Sequence, residues 1–239
     1  MDPLETLISE QPHFHVDGAG KLVNWAASPD VLRFIRACLK PSIRTLETGA
    51  GQSTVVFAMA GTHHVCITPK QDEAERIRSY CKGHGIEYDN ITFIHENSDI
   101  ALASGKDIPN VIDFVFIDGP HQFPLPILDW HFTEKKVPIG GIVAIDDYLI
   151  PSVRILHDFL MDENEWELIQ SFHSIRRRHG GTSFFRRKRQ PPLEYWHLCQ
   201  KMNRPRYHPL RWLLRHPRAT LRGLVDIRDG APPFGPRLS

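Results

Sequence analysis

The chain has 239 residues, 41% of them hydrophobic and 24% charged, which is enough for one sizeable core and short for two. This composition excludes a collagen-like, coiled-coil or wholly disordered chain, and no apolar run reaches the roughly eighteen residues of a membrane span. The net charge of +1 conceals a division: residues 1–173 hold 13 basic against 25 acidic residues, and residues 174–239 hold 16 basic against 3 acidic. An acidic body of −12 is followed by a basic tail of +13.

The N-terminus (Met1, Asp2, Glu5, Glu10) is acidic where a signal peptide is basic. Cys38, Cys66, Cys81 and Cys199 form no CxxC pair. Both features lead to the expectation of a cytoplasmic chain whose cysteines are buried small hydrophobes.

In chain order, Ser28-Pro29 followed by VLRFIRACLK predicts a capped amphipathic helix. Ile43 to Thr48 predicts a strand that enters the turn Gly49-Ala50-Gly51 and a helix from Ser53 to about Ala60. A strand over His64 to Thr68 precedes Pro69 and the helical stretch QDEAERIRSYC, where Ala74, Ile77 and Cys81 share a face; Gly83 and Gly85 close it. Ile91 to His95 predicts a third strand, followed by a brief helix. Asp113 to Ile117 and Gly141 to Ile145 are short apolar runs bounded by turns, the pattern of strands buried on both faces of a parallel sheet. Phe123 to Lys136 between them is partly helical, Pro151 opens another helix, and Trp166 to Phe172 with Thr182 to Arg187 reads as a closing antiparallel pair. Five alternations of strand and helix define an α/β fold: a Rossmann-like, doubly wound, mostly parallel sheet with an antiparallel closing pair. The expected organisation is an N-terminal segment (1–27), this domain (28–190) and a basic C-terminal extension (191–239).

Glu47-Thr48-Gly49-Ala50-Gly51-Gln52-Ser53-Thr54 is a strand end running through two glycines into a helix, a geometry that lets a ligand approach backbone N–H groups. Thr54 stands where a dinucleotide fingerprint needs its third glycine, and no Lys follows to make a phosphate-binding loop. No GxSxG elbow, HExxH helix or kinase set is present, so hydrolase and protease chemistry has no nucleophile to rest on. His13, His15, His63 and His64 show no acid at ligand spacing.

Glu47 with Gly49 and Gly51, then Phe116-Ile117-Asp118-Gly119-Pro120-His121, then Gly140-Gly141-Ile142-Val143-Ala144-Ile145-Asp146-Asp147 resemble, in order and spacing, the class I S-adenosylmethionine-dependent methyltransferases. The similarity is to the branch with DGxH after the fourth strand and an acidic pair after the fifth, and it covers residues 28–189. It implies an S-adenosylmethionine-dependent O-methyltransferase acting on a small hydroxyl-bearing acceptor. The implied cofactor set is Glu47, Gly49, Gly51, Ser53, Thr68, Ser98 and Asp118, with Glu47 fixing the cofactor's amino group. Two positions depart from the family pattern: Thr68 stands where an acid binds the ribose, with Asp72 or Glu73 one helical turn on as substitutes, and Asn97-Ser98 stands where an acid meets the adenine.

Asp118, Asp146 and Asp147 at the ends of neighbouring strands are candidate ligands for Mg²⁺ or Mn²⁺, provided the chain turns at the acidic pair; otherwise one of the pair caps the helix at Pro151. Asp118 and His121 are the candidate catalytic residues, His121 as general base, although a loop histidine that only hydrogen-bonds its surroundings fits equally. Phe123-Pro124-Leu125-Pro126 walls a pocket or simply starts a helix. Arg176-Arg177-Arg178 and Arg186-Arg187-Lys188-Arg189 would form a positive patch suited to nucleic acid or anionic membrane. The contrasting function is therefore a cofactor-free methyltransferase-like fold that binds polyanions or membrane through its tail. The expected partners are a small-molecule acceptor and, through the C-terminal extension, a second copy of the chain.

Overall fold

A computed structural model describes residues 2–173 and 180–190. The Arg176–Arg178 cluster, Cys199 and the basic extension from 191 onward lie outside the described residues, so the expectations placed on them stand where the sequence left them.

Helix α1 (Pro3–Glu10) and a hairpin of β1 (His15–Val16) and β2 (Leu22–Val23) precede the main sheet. Helix α2 (Pro29–Cys38) begins as the sequence predicts, with the Ser28 hydroxyl accepting from the Val31 N–H and Pro29 in the first turn. The alternating core follows: β3 (Arg44–Thr48), α3 (Gln52–Met59), β4 (His63–Ile67), α4 (Gln71–Gly83), β5 (Ile91–Ile94), α5 (Ser98–Ser104), β6 (Phe114–Ile117), α6 (Leu125–Glu134), β7 (Ile142–Ile145) and α7 (Pro151–Asp162). It closes with β8 (Trp166–Phe172) and β9 (Thr182–Arg187). The sheet order is β5-β4-β3-β6-β7-β9-β8, parallel through β7 and antiparallel at β9 and β8.

The period of two along the strands feeds two cores. In β6, Phe114 and Phe116 join Val56, Phe57, Ile35 and Ile77 from α2–α4 on one face. Val115 and Ile117 join Leu102, Trp130, Leu156 and Leu160 from α5–α7 on the other. Each fully buried aliphatic or aromatic side chain contributes roughly 1.5–3 kcal/mol relative to exposure, which is why these short apolar runs settle as interior parallel strands.

Arg187 departs from the expected surface patch. It is 1% exposed, donates to the backbone carbonyls of Glu134 and Val137, and lies 5.4 Å from the Trp166 ring centroid. Its aliphatic stem and fork tie β9 to the end of α6, so it adds nothing to a positive surface. Of the other cysteines, Cys66 and Cys81 are buried and Cys38 half-buried, all free thiols.

Candidate functional site

The C-terminal ends of β4, β3 and β6 open on a cavity of about 310 Å³, lined among others by Gly49, Ala50, Thr68, Glu73, Ser98 and Asp118. Its floor is the glycine turn. Gly49 has φ +91°, and a Cβ there would collide with the Asp118 carbonyl oxygen, so the turn requires glycine on both conformational and steric grounds. The Gly49 N–H donates to the Ile67 carbonyl at 2.9 Å, holding the turn against β4.

Glu47 lies under this turn, 1% exposed and not among the cavity's lining residues. Its carboxylate accepts from Ser53 Oγ at 2.7 Å and from Thr54 Oγ1, and its Oε1 is 3.1 Å from His64 Nε2. Thr54 Oγ1 in turn accepts from the Gly51 N–H at 3.0 Å. The chain of donors continues inward: His64 Nδ1 is 2.8 Å from Thr45 Oγ1, which is 3.0 Å from Thr62 Oγ1, which donates to the Phe57 carbonyl. Each hydroxyl has one proton, so full pairing makes Thr45 donate to Thr62 and accept from His64 Nδ1–H. The Glu47–Ser53–Thr54 group is therefore a buried, fully paired support for the turn, with His64 stacked on Phe57 at 4.2 Å. This corrects the reading that His64 has no acid partner, since β3 and β4 bring the pair together across the sheet.

Of the expected cofactor set, Gly49, Thr68, Ser98 and Asp118 line the cavity, and Glu47, Gly51 and Ser53 do not. Residues that sequence reasoning left out, or named only as substitutes, complete the wall. Glu73, in the first turn of α4 and 4% exposed, accepts from Thr68 Oγ1 at 3.2 Å and stands 3.1 Å from both His15 Nδ1 and Lys70 Nζ. Burial pushes its carboxyl pKa up, and His15 and Lys70 outweigh this and hold it below the usual value. Asp72, by contrast, turns outward to Arg76 at 2.6 Å. His15 stacks on Trp25 at 5.4 Å, and Lys70 lies 5.8 Å from the Trp25 ring centroid, so the N-terminal hairpin closes one side of the cavity. His15 is the second histidine that gains an acid partner only in the fold.

At the opposite lip, His121 stands between two acids, with Nε2 3.8 Å from Asp118 Oδ1 and Nδ1 3.8 Å from Asp147 Oδ2. Its backbone carbonyl accepts from Ser152 Oγ of α7. Burial lowers the imidazole's proton affinity, but Asp118, then Asp147 and Asp146, raise it above the ordinary histidine value. Asp118 and Asp146 are both pushed up, first by burial and then by neighbouring carboxylates. Asp146 also accepts from Thr182 Oγ1 of β9.

Asp147 has φ +50°, so the chain does turn at the acidic pair. The N-cap position of helix α7 is Ile150, with no side-chain cap. Even so, these side chains do not form a ready ligand set. Among the described residues, the one group of three ligating atoms within 4.8 Å of one another is Glu47, His64 and Cys66, whose carboxylate already serves Ser53 and Thr54. His121 stands between Asp118 and Asp147. Phe123 is exposed and α6 starts at Leu125 with Pro126 in its first turn, so that segment is a helix start.

A parallel sheet of this order, closed by an antiparallel pair and carrying a cavity at its glycine turn, is the class I methyltransferase fold. Residues 46–148 match the family described as a methyltransferase domain. The chain is 31% identical over 99 residues to an uncharacterized protein of Acanthamoeba polyphaga mimivirus, a stretch that is 41% of this chain and 43% of that protein; the match thus spans less than half of that relative. Among solved structures, the O-methyltransferase TomG from Streptomyces achromogenes, involved in tomaymycin synthesis and in complex with SAM, aligns with a TM-score of 0.61 at 19% identity. That alignment covers 79% of this chain and 91% of TomG. An O-methyltransferase from Bacillus cereus in complex with SAH aligns at 0.59 and 16%, covering 77% and 90%. An rRNA methylase from Streptococcus thermophilus aligns at 0.54 and 11%, covering 67% and 95%. The methyltransferase resemblance read from three short motifs is thus carried by the whole sheet. No helix among the described residues is long and apolar enough to cross a membrane.

Proposed function

We propose that this protein is an S-adenosylmethionine-dependent O-methyltransferase of a hydroxyl-bearing acceptor. The observation that carries this reading is His121, held between Asp118 and Asp147 at the lip of a cavity floored by the glycine turn. The cavity's donors and acceptors suit the cofactor: backbone at Gly49–Ala50 for the methionine part, the Glu73 carboxylate beside Thr68 for a ribose diol, and Ser98 toward the base. Glu73 offers a carboxylate beside Thr68, one of the two positions, with Asn97, whose missing acids favour a cofactor-free module. The similar O-methyltransferases with SAM or SAH bound favour the same direction.

When bound, the cofactor supplies an electrophilic methyl group. The chain's own task is to place the acceptor oxygen in line and remove its proton. Neutral His121 accepts that proton. Asp118 and Asp147 hold its ring from opposite sides and stabilise the imidazolium that forms. The buried Glu47 support keeps the turn, and hence the cofactor, at a fixed distance from this base.

Calorimetric titration with S-adenosylmethionine and S-adenosylhomocysteine tests the reading, with binding expected in the micromolar to submillimolar range typical of a small-ligand site. A folded protein that binds neither at millimolar concentration would refute it. Turnover in excess chelator separates the histidine route from a divalent-ion route: retained activity supports His121 acting with its acids alone, and lost activity restores the metal role of Asp118, Asp146 and Asp147.

A further inference from the structure

The two glycines of the turn are glycine for different reasons. Gly49 has a positive φ and the Asp118 carbonyl against it. Gly51 has φ 176°, extended backbone open to any residue, and it does not line the cavity. What stands against it is a side chain of the N-terminal hairpin: a Cβ on Gly51 would lie 3.3 Å from His15 Nε2 and 3.7 Å from His15 Cε1.

His15 thus bridges two parts of the site. Its Nε2 edge lies over Gly51, and its Nδ1 is 3.1 Å from Glu73 Oε1. An ionised carboxylate only accepts, so Nδ1 carries the hydrogen of this contact. Trp25, stacked on the ring at 5.4 Å and 29°, limits its freedom to turn away. The segment that delivers His15 is tied down on two sides. Gln52, the residue after Gly51, donates to the Pro12 carbonyl at 3.2 Å. On α4, Arg76 donates to the Phe14 carbonyl at 2.6 Å, and Tyr80 meets the Phe14 ring edge-on at 5.7 Å and donates to Glu10 at 2.7 Å. Glu73, Arg76 and Tyr80 lie at i, i+3 and i+7, one face of that helix, so the contacts that seat the segment also set His15 level with Glu73.

We propose that Gly51 is small in order to admit His15, and that His15 is a positioning residue of the ligand site, fixing the Glu73 carboxylate beside Thr68 at the angle at which it receives a ligand diol. The inference rests on the cofactor reading and reassigns one glycine of the turn from the cofactor to the protein's own imidazole. An alanine at position 51 makes the ring yield by a few tenths of an ångström, which strains the directional contact to Glu73.

The test is calorimetric titration of the full chain with S-adenosylhomocysteine, with a melting curve for each variant. Gly51→Ala is expected to weaken binding about fivefold and His15→Ala about tenfold, the scale of one hydrogen bond. Because both act through one contact, the double variant should stay near tenfold and not reach about fiftyfold. His15→Asn keeps an N–H donor near the place of Nδ1 and lacks the ring atoms that meet Gly51. It should bind within about threefold of the unmodified chain and tolerate Gly51→Ala without further loss, a rescue that a merely space-filling His15 would not show. Losses that multiply in the double variant overturn the proposal, since Gly51 then answers to the ligand directly. Binding by His15→Ala within twofold of the unmodified chain, or binding by His15→Asn as weak as that of His15→Ala, overturns the positioning role. If either alanine variant fails to fold, His15→Asn with and without Gly51→Ala decides, an added loss on Gly51→Ala overturning the proposal. A folded, unmodified chain that does not bind at all overturns the cofactor reading and this inference together, whereas binding with multiplying losses overturns this inference alone.

Discussion

Two carboxylate–histidine pairs stand about the same turn, and they are built in opposite ways. Glu47 and His64 are both at most 1% exposed, 3.1 Å apart, and every polar atom of the pair has a partner, down to the Phe57 carbonyl. Asp118 and His121 have side chains 27% and 32% exposed, stand 3.8 Å apart, and leave His121 Nε2 without a hydrogen bond. A buried, closed network has no capacity left for a substrate; its use is rigidity. A loose pair at a cavity lip has a ring nitrogen not fixed by a hydrogen bond and a raised proton affinity, which is what proton transfer requires. Residue type alone assigns the two pairs the same chemistry, and satisfaction of their hydrogen bonds separates them.

The widest break of this comparison comes from removing Glu47. Glu47→Ala leaves His64, Ser53 and Thr54 with uncompensated buried polar atoms, and should cost about 3–5 kcal/mol in denaturant-induced unfolding. A loss below 1 kcal/mol would show that the network is not the support of the turn. Substituting the exposed pair should do the reverse. His121→Asn is expected to lower the methyl-transfer rate at least 10²-fold, with S-adenosylhomocysteine affinity and melting point nearly unchanged, because its ring makes no tight bond in the fold. A rate within threefold of the unmodified chain would remove His121 as the base.

The sequence showed the loose site more readily than the tight one. DGPH and IDD are contiguous motifs, and the apolar runs DFVFI and GIVAI identify interior strands because burial on both faces leaves no polar alternation. The pairs His64–Glu47 and His15–Glu73 were hidden, since they join residues 17 and 58 positions apart and depend on strand register and on how the hairpin folds back. Strands of two residues such as β1 and β2 are too short for any period to mark. Arg187 was misread for a related reason: in a run of basic residues on an alternating strand, every second one faces inward.

A third carboxylate sharpens the contrast by separating burial from satisfaction. Glu163, at the end of α7, is buried like Glu47, yet neither of its oxygens has a hydrogen-bond partner of normal geometry. Burial, followed by Glu165 and Asp162, pushes its pKa up to about 8, and Arg189 pairs with the neighbouring Glu165 at 3.6 Å. The folded state thus holds a proton that the unfolded state releases near 4.5, so stability falls as pH climbs from about 4.5 to about 8. Glu163→Gln should therefore gain roughly 1–3 kcal/mol at pH 8.5 and nearly nothing at pH 4. Melting curves of both proteins across this range check it, and parallel curves would reject it.

The smallest expected effect falls on the residue between the two classes. Glu73 is buried like Glu47 but reaches the cavity like Asp118, and it accepts from Thr68, His15 and Lys70 at once. Its pKa is held low, so its contribution to stability is present above the usual 4.5 and lost as pH falls below it; at neutral pH it is a full carboxylate. If that charge receives a ribose diol, Glu73→Gln should weaken S-adenosylhomocysteine binding about tenfold, because a neutral amide keeps the shape and loses the charge assistance of one hydrogen bond. Asp72→Asn is the matched control. Asp72 is the preceding residue on the same helix, but its carboxylate faces outward to Arg76, and its loss should leave affinity within twofold. Equal weakening by both would mean that general negative charge, and not a directed contact, governs this wall. Undiminished binding in Glu73→Gln would return the ribose contact to Thr68 alone and group Glu73 with Glu47, as a carboxylate wholly spent on holding the fold.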